Sequence, residues 1–142
     1  MAFLSEADYI DHIQDAQLTA LTVGDGTART RMETKVQEEI SIALRVRYDV
    51  DTIFAQTGNA RNQLVVMLMV DMVLYHLHKR INPGQVPELR LSAYNNAKED
   101  LDKIASGMYA VDLPLEGDAD GDGTDDKNVV QWGGATARDP YY

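Results

Sequence analysis

The chain has 142 residues, a hydrophobic share of 44%, no cysteine and a formal net charge of −10. That length supports one domain with a real core and not comfortably two. The missing cysteines exclude a disulfide framework, a thiol nucleophile and thiolate metal ligation. The acidic balance argues against a surface that grips nucleic acid by its phosphates, which needs a basic footprint.

The charge is unevenly placed. Asp112 to Lys127 holds seven acids and one base, a net of −6, so the other residues carry only −4. The opening Met1-Ala2-Phe3-Leu4-Ser5-Glu6 has neither the basic region nor the apolar core of a signal peptide. Leu64 to Tyr75, the most apolar stretch, is too short to span a bilayer and carries Asp71. No membrane association is expected.

Ser5 to Asp8 reads as a capping box, a hydroxyl followed three residues later by an acid. It predicts a short helix with Tyr9, Ile10, Ile13 and Ala16 on one side. Leu18 to Val23 is apolar, and Gly24-Asp25-Gly26 stops it. A long helix is predicted from Thr30 to Asp49. Met32, Val36, Ile40, Ala43 and Leu44 form its main stripe, and Ile42, Val46 and Val50 form a second stripe beside it. A helix apolar over that arc touches two neighbours. Arg45 and Arg47 sit near its end, where cations complement the helix dipole. Gly58-Asn59 breaks the chain.

Arg61 to Ile81 predicts the core helix, because Val65 to Val70 and Met72 to Leu74 leave almost no polar face. Asp71 interrupts it, and the expectation is an arginine partner such as Arg45 or Arg47, or a narrow exposed strip. Met32, Met67, Met69 and Met72 read as core filler. His12, His76 and His78 read as satisfied or exposed histidines, since His76 and His78 point to different helix faces. Pro83-Gly84 ends the core helix. Pro87-Glu88 opens a fourth, with Leu91, Tyr94, Ala97, Leu101, Ile104 and Met108 as its seam and Gly107 near its C-cap. Met108 to Leu113 alternates weakly, which admits one short strand before Pro114.

The composition changes after Leu115. Residues 1–115 read as an all-α domain, a compact bundle of about four helices. Residues 116–142 read as an acidic linker and an aromatic arm. Asp118, Asp120 and Asp122 match the first half of a calcium loop, with Gly123 at the turn position, but Val129 stands where the bidentate glutamate belongs. The ordinary reading is a solvated linker, and any calcium affinity is expected to be no better than about millimolar. No other cofactor is indicated. Trp132, Tyr141 and Tyr142, with Arg138, are the candidate partner-binding residues, because aromatics on a Gly-rich stem use their area well only when something buries them. The expectation is a tether that is mobile in the free chain and ordered in an assembly.

The order of elements resembles a family of small phage proteins of Mu-like prophages that serve as head–tail connector or head-completion adaptors. The likeness covers about Leu4 to Leu115. It rests on Phe3-Leu4-Ser5-Glu6-Ala7-Asp8-Tyr9-Ile10, on Ala43-Leu44-Arg45-Val46-Arg47-Tyr48, on Leu74-Tyr75-His76-Leu77, and on the run from Ala93 to Gly107 followed by Leu113-Pro114. The tail from Glu116 onward is longer than the family pattern. The resemblance implies a helical bundle without catalysis, in a ring of about twelve copies beneath the portal protein. The next neck or tail-completion protein would lie beyond it, and DNA would pass through without specific binding. The location implied is the virion neck, with the host cytoplasm during assembly. Arg45, Arg47 and Asp71 are then candidate subunit-interface residues. The rival reading is a free-standing helical binding or regulatory module that uses the second and third helices, with a weak calcium-binding tail. An enzyme accessory protein is a third. Gene neighbours or a sizing column would separate them.

Overall fold

The computed structural model describes residues 2–117. It holds six α-helices among those residues: α1 (Glu6–Ile10), α2 (Asp15–Leu21), α3 (Ala28–Leu44), α4 (Val50–Ala55), α5 (Gln63–Ile81) and α6 (Glu88–Ala105). A 3-10 turn, Gly58–Ala60, precedes α5. The fold is the expected all-α bundle, with α3, α5 and α6 as its long members.

Helix α5 is the axle. Its cap is Asn62, whose carboxamide oxygen accepts from the Leu64 and Val65 amides at 3.0 and 3.3 Å. Nine of its nineteen residues are buried, spread around nearly the whole circumference, so neighbours must enclose it on several sides. Helices α3 and α6 pack along it, and α1 and α2 cover the rest. Met72 lies with Ala43 and Leu101, and His76, one turn on, lies with Glu39 and Tyr94, which sets the directions. Helix α5 runs antiparallel to both α3 and α6, which are therefore parallel to each other.

The N-terminal region departs from its expected pattern. The Ser5 amide and hydroxyl donate to the Asp8 carboxylate at 2.7 and 3.0 Å, as the capping box predicts. Yet α1 stops at Ile10, and a turn leads into α2 at Asp15. Tyr9 and Ile13 are buried, whereas Ile10 and Ala16 are exposed. The turn resets the helical phase, so a single 3.6-residue period cannot hold across it.

Helix α3 ends at Leu44, five residues before the expected Asp49. Asp49 instead caps α4, accepting from the Thr52 amide at 3.1 Å and the Thr52 hydroxyl at 2.6 Å. Val50 is buried from α4, and the second stripe on α3 does not form: Ile42 and Val46 are 67% and 84% exposed. The main stripe holds, with Val36, Ile40 and Leu44 buried and Met32 and Ala43 packed against the core.

In α6, Ala97, Leu101 and Ile104 are buried, Tyr94 is half-buried, and Leu91 and Met108 are exposed. The helix ends in a Schellman motif. The Met108 amide donates to the Lys103 carbonyl and the Gly107 amide to the Ile104 carbonyl, with Gly107 at φ +81°. No β-strand follows among the described residues. Among the described residues the extended segment makes one antiparallel bridge, Tyr48 to Leu115. The Asp49 amide donates to the Pro114 carbonyl at 2.9 Å and the Glu116 amide to the Arg47 carbonyl at 3.0 Å. One turn of α3–α4 linker offers room for two such bonds and no ladder.

The axle role of α5 predicts a steep contrast. Met72, fully buried on α5, should cost about 2–5 kcal/mol when changed to alanine. Ile10, exposed on α1, should cost no more than about 0.5 kcal/mol when changed to serine. Urea unfolding of both variants checks this.

Candidate interaction surface

Four polar constellations bear on whether the body carries chemistry, and each is spent on holding elements together. In the first, the Arg61 guanidinium donates to both Asp8 oxygens at 2.7 and 3.1 Å, to the Phe3 carbonyl at 2.8 Å and to the Gly58 carbonyl at 2.9 Å. This planar fork pins the N-terminal segment to the entry of α5. Burial pushes the Asp8 carboxyl up, but the bonds from Arg61 and Ser5 outweigh it and hold the carboxyl below its usual value.

In the second, the buried Tyr9 hydroxyl donates to Glu33 at 2.6 Å. Glu33 is only 8% exposed, and burial raises its carboxyl despite the Tyr9 bond and the nearby Arg29. Burial and the Glu33 carboxylate likewise raise the Tyr9 hydroxyl far above its ordinary range. The pair ties α1 to α3.

In the third, Glu39 of α3 is shared by His76 of α5 at 2.8 Å and the Tyr94 hydroxyl of α6 at 3.1 Å. Tyr94 stacks on Tyr75 with centroids 4.1 Å apart, and burial followed by the Glu39 charge pushes its hydroxyl up to about 12. One carboxylate thus joins all three long helices.

The fourth corrects an expectation. Asp71 does not bond an arginine of α3; its carboxylate lies 3.2 Å from His12 Nδ1, in the turn between α1 and α2. The Arg90 guanidinium donates to the His12 carbonyl at 2.8 Å. His78 bonds its own helix at the Leu74 carbonyl. All three histidines therefore have partners within the body, as the sequence suggests. Met69 and Met72 are buried and Met32 packs on the core, whereas Met67 is substantially exposed.

Among the described residues no group of three or more histidines and carboxylates converges as a metal site. No helix among them is long and apolar enough to cross a membrane.

Exposed large apolar side chains lie in several places, Ile10, Val23 and Leu89 among them, and one group lies where two helices end. Parallel packing brings the C-termini of α3 and α6 together. The Tyr48 hydroxyl reaches the Ile104 carbonyl at 3.5 Å. The Arg47 guanidinium lies over Gly107 so closely that a Cβ there would meet Nη1 at 2.6 Å. Ile42, Val46 and Met108 are exposed at this end, the last at 72%. A cleft of about 370 Å³ opens between α3 and α6, floored by Met72 and Leu101 and flanked by Ile42, Ala43, Lys98 and Asp102. A larger cleft of about 820 Å³ lies under the segment from Gly107 to Leu115. Its charged lining is Arg47, Arg61 and Asp112, which supplies no nucleophile with a base.

Arg45 and Arg47 stand exposed at the same end, and the ion pairs among the described residues use neither. Asp71 does not join them. Trp132, Arg138, Tyr141 and Tyr142, and the loop acids Asp118, Asp120 and Asp122, lie outside the described residues. Sequence reading missed the Arg61 fork and the Glu39 seam. Their only signal was a charged or polar residue flanking an apolar stripe. Comparison with protein-family models, curated proteins and solved structures finds no significant match to this chain.

The Asp8–Arg61 pair generates a pH test. A carboxyl whose folded value is depressed contributes stability that is complete above its unfolded value, about 4, and is lost as the pH falls through the folded value. Asp8→Asn should cost about 3 kcal/mol at pH 7, because it leaves a buried guanidinium without its counter-charge. The gap between the two proteins should narrow as the pH drops below about 4. Denaturant titrations at neutral and acid pH measure it; a gap that stays constant would mean that Asp8 is not depressed.

Proposed function

We propose that this chain is a structural, non-catalytic subunit of a phage neck, a head–tail connector adaptor. In that role it forms a ring with copies of itself under the portal protein, joins the capsid to the next neck or tail-completion protein, and leaves a channel for DNA. The observation that carries the reading is the apolar end formed by Ile42, Val46 and Met108. Large apolar side chains grouped at one end form a surface suited to a partner. The ordered run of sequence resemblances from Leu4 to Leu115 supports the portal and neck proteins as that partner.

Two further features support it. The Arg61–Asp8, Tyr9–Glu33 and Glu39–His76–Tyr94 groups are occupied with one another, and rigidity is what they supply. The net charge of −10 suits the wall of a channel that DNA must cross without adhering. Trp132, Arg138, Tyr141 and Tyr142 act in this reading as an assembly arm, gaining by repetition around the ring what one arm lacks alone. Arg45 and Arg47, exposed beside the apolar end, fit a subunit contact. The virion neck is the site of action, with the host cytoplasm as the place of assembly.

Truncation tests it. Removing residues from Val129 onward should leave the helical body folded by far-UV spectroscopy and reduce incorporation into particles, so that heads accumulate without tails. Particles that assemble as well with the truncated chain as with the full one would rule out the arm. A body that folds, stays monomeric and binds a host protein instead would favour the rival binding module.

A further inference from the structure

The outer face of the α3–α6 pair carries charges in a fixed order. Glu38, Ile42 and Arg45 recur at helical spacing along α3 and its C-cap, and all are exposed. Lys98 and Asp102 stand one turn apart on α6 and are exposed as well. Ile42, Lys98, Leu101 and Asp102 line the same cleft, so the two stripes stand level. The signs run acid then base along α3, and base then acid along α6. Among the described residues the ion pairs use none of Glu38, Arg45, Lys98 and Asp102. Lys98 lies over the Tyr94 ring, and Asp49 lies near Arg45. Other cations and other apolar side chains are exposed elsewhere on the body; what singles out this face is the order of signs around an apolar centre.

We infer that this face pairs with the same face of a second copy of the chain, about a two-fold axis that crosses α3 and α6. Such an axis sets each helix antiparallel to its own counterpart, and every contact occurs twice. On α3 the axis passes beside Ile42, so Glu38 meets Arg45 of the second copy and Arg45 meets its Glu38. On α6 it passes beside Leu101, so Lys98 meets Asp102 of the second copy and Asp102 meets its Lys98. Lys35, further from the axis, falls beyond the end of α3 in the second copy. A two-fold running along the helices instead would gather four helix C-termini, with their like partial charges, at one end. The antiparallel setting keeps them apart. Exposed ion pairs add little affinity and do fix register. Ile42, 67% exposed in the single body, supplies the apolar area at the axis. The pairing belongs to the free chain and goes beyond the neck reading: it covers the face assigned there to a neck partner until that partner takes it.

Sedimentation of the purified full chain should show a monomer–dimer equilibrium that follows concentration and weakens as salt rises. Ile42→Asp should weaken the dimer by about tenfold or more, because the change falls at the axis and acts in both copies. Lys98→Glu and Asp102→Lys should each weaken it too, since each sets like charges against one another twice. Mixed in equal amounts, those two variants should dimerise again, because every contact at these positions then joins opposite signs. Glu38→Arg and Arg45→Glu should behave in the same way, alone and mixed. All these side chains are exposed, so the helical far-UV spectrum should be unchanged. Leu89→Asp, on the first turn of α6 and 77% exposed, should leave the dimer as it is. A chain that stays monomeric throughout the micromolar range would overturn the inference. So would a dimer that survives Ile42→Asp, one that is lost with Leu89→Asp, or mixtures of the opposite-charge variants that stay monomeric. These outcomes concern the purified chain and leave the neck reading to its own test in particles.

Discussion

The constraint on which the rest depends is the enclosure of α5. A helix whose apolar residues face nearly every direction cannot lie on a surface, and no single partner can cover it. Two long helices are needed, one on each flank, and shorter pieces must close the remaining side. That is the arrangement of α3, α6, α1 and α2. The parallel alignment of α3 and α6 follows from both running antiparallel to the same axle, and it brings their two C-termini to one end. The exposed apolar end is a consequence of how α5 is wrapped.

Polar residues serve the same enclosure. Glu39 faces both flanks of the axle and joins α3, α5 and α6 through His76 and Tyr94. Arg61 fastens the N-terminal segment at the start of α5. Tyr9 and Glu33 fasten α1 to α3. Each of these is a group that a catalytic site could use, and each is occupied by a neighbour that fixes helix position.

Much of this is legible in the sequence, for physical reasons that differ by element. The α5 and α6 boundaries can be read to within about two residues because proline and glycine punctuate them, and because burial on α5 is nearly circumferential, so an error of phase costs nothing; the Asn62 cap lies inside the expected helix and was not read. The Ser5–Asp8 box is local and therefore readable. The end of α3 is not. Val46 and Val50 continue its period, while the turn at Arg45 to Tyr48 depends on bonds to Pro114 and Glu116, more than sixty residues away in sequence. Helix α4 was hidden by the same continuation. The Asp71 partner could not be named, because His12 lies in a turn whose position depends on where α1 stops. Alternation from Met108 to Leu113 suggested a strand, but the one bridge among the described residues, Tyr48 to Leu115, falls beyond it. The exposure of Ile42 and Val46, which gives the candidate surface, is visible only once α3 has been seen to end early.

Imaging of phage particles that carry this chain with a small label offers the most direct test of the central claim, that an axle-built helical body serves as a ring subunit between head and tail. The account predicts label at a single vertex, in a ring of density between the portal and the tail and coaxial with the channel. Label spread over the capsid surface, confined to the tail tip, or absent from finished particles while abundant in the free lysate would contradict it.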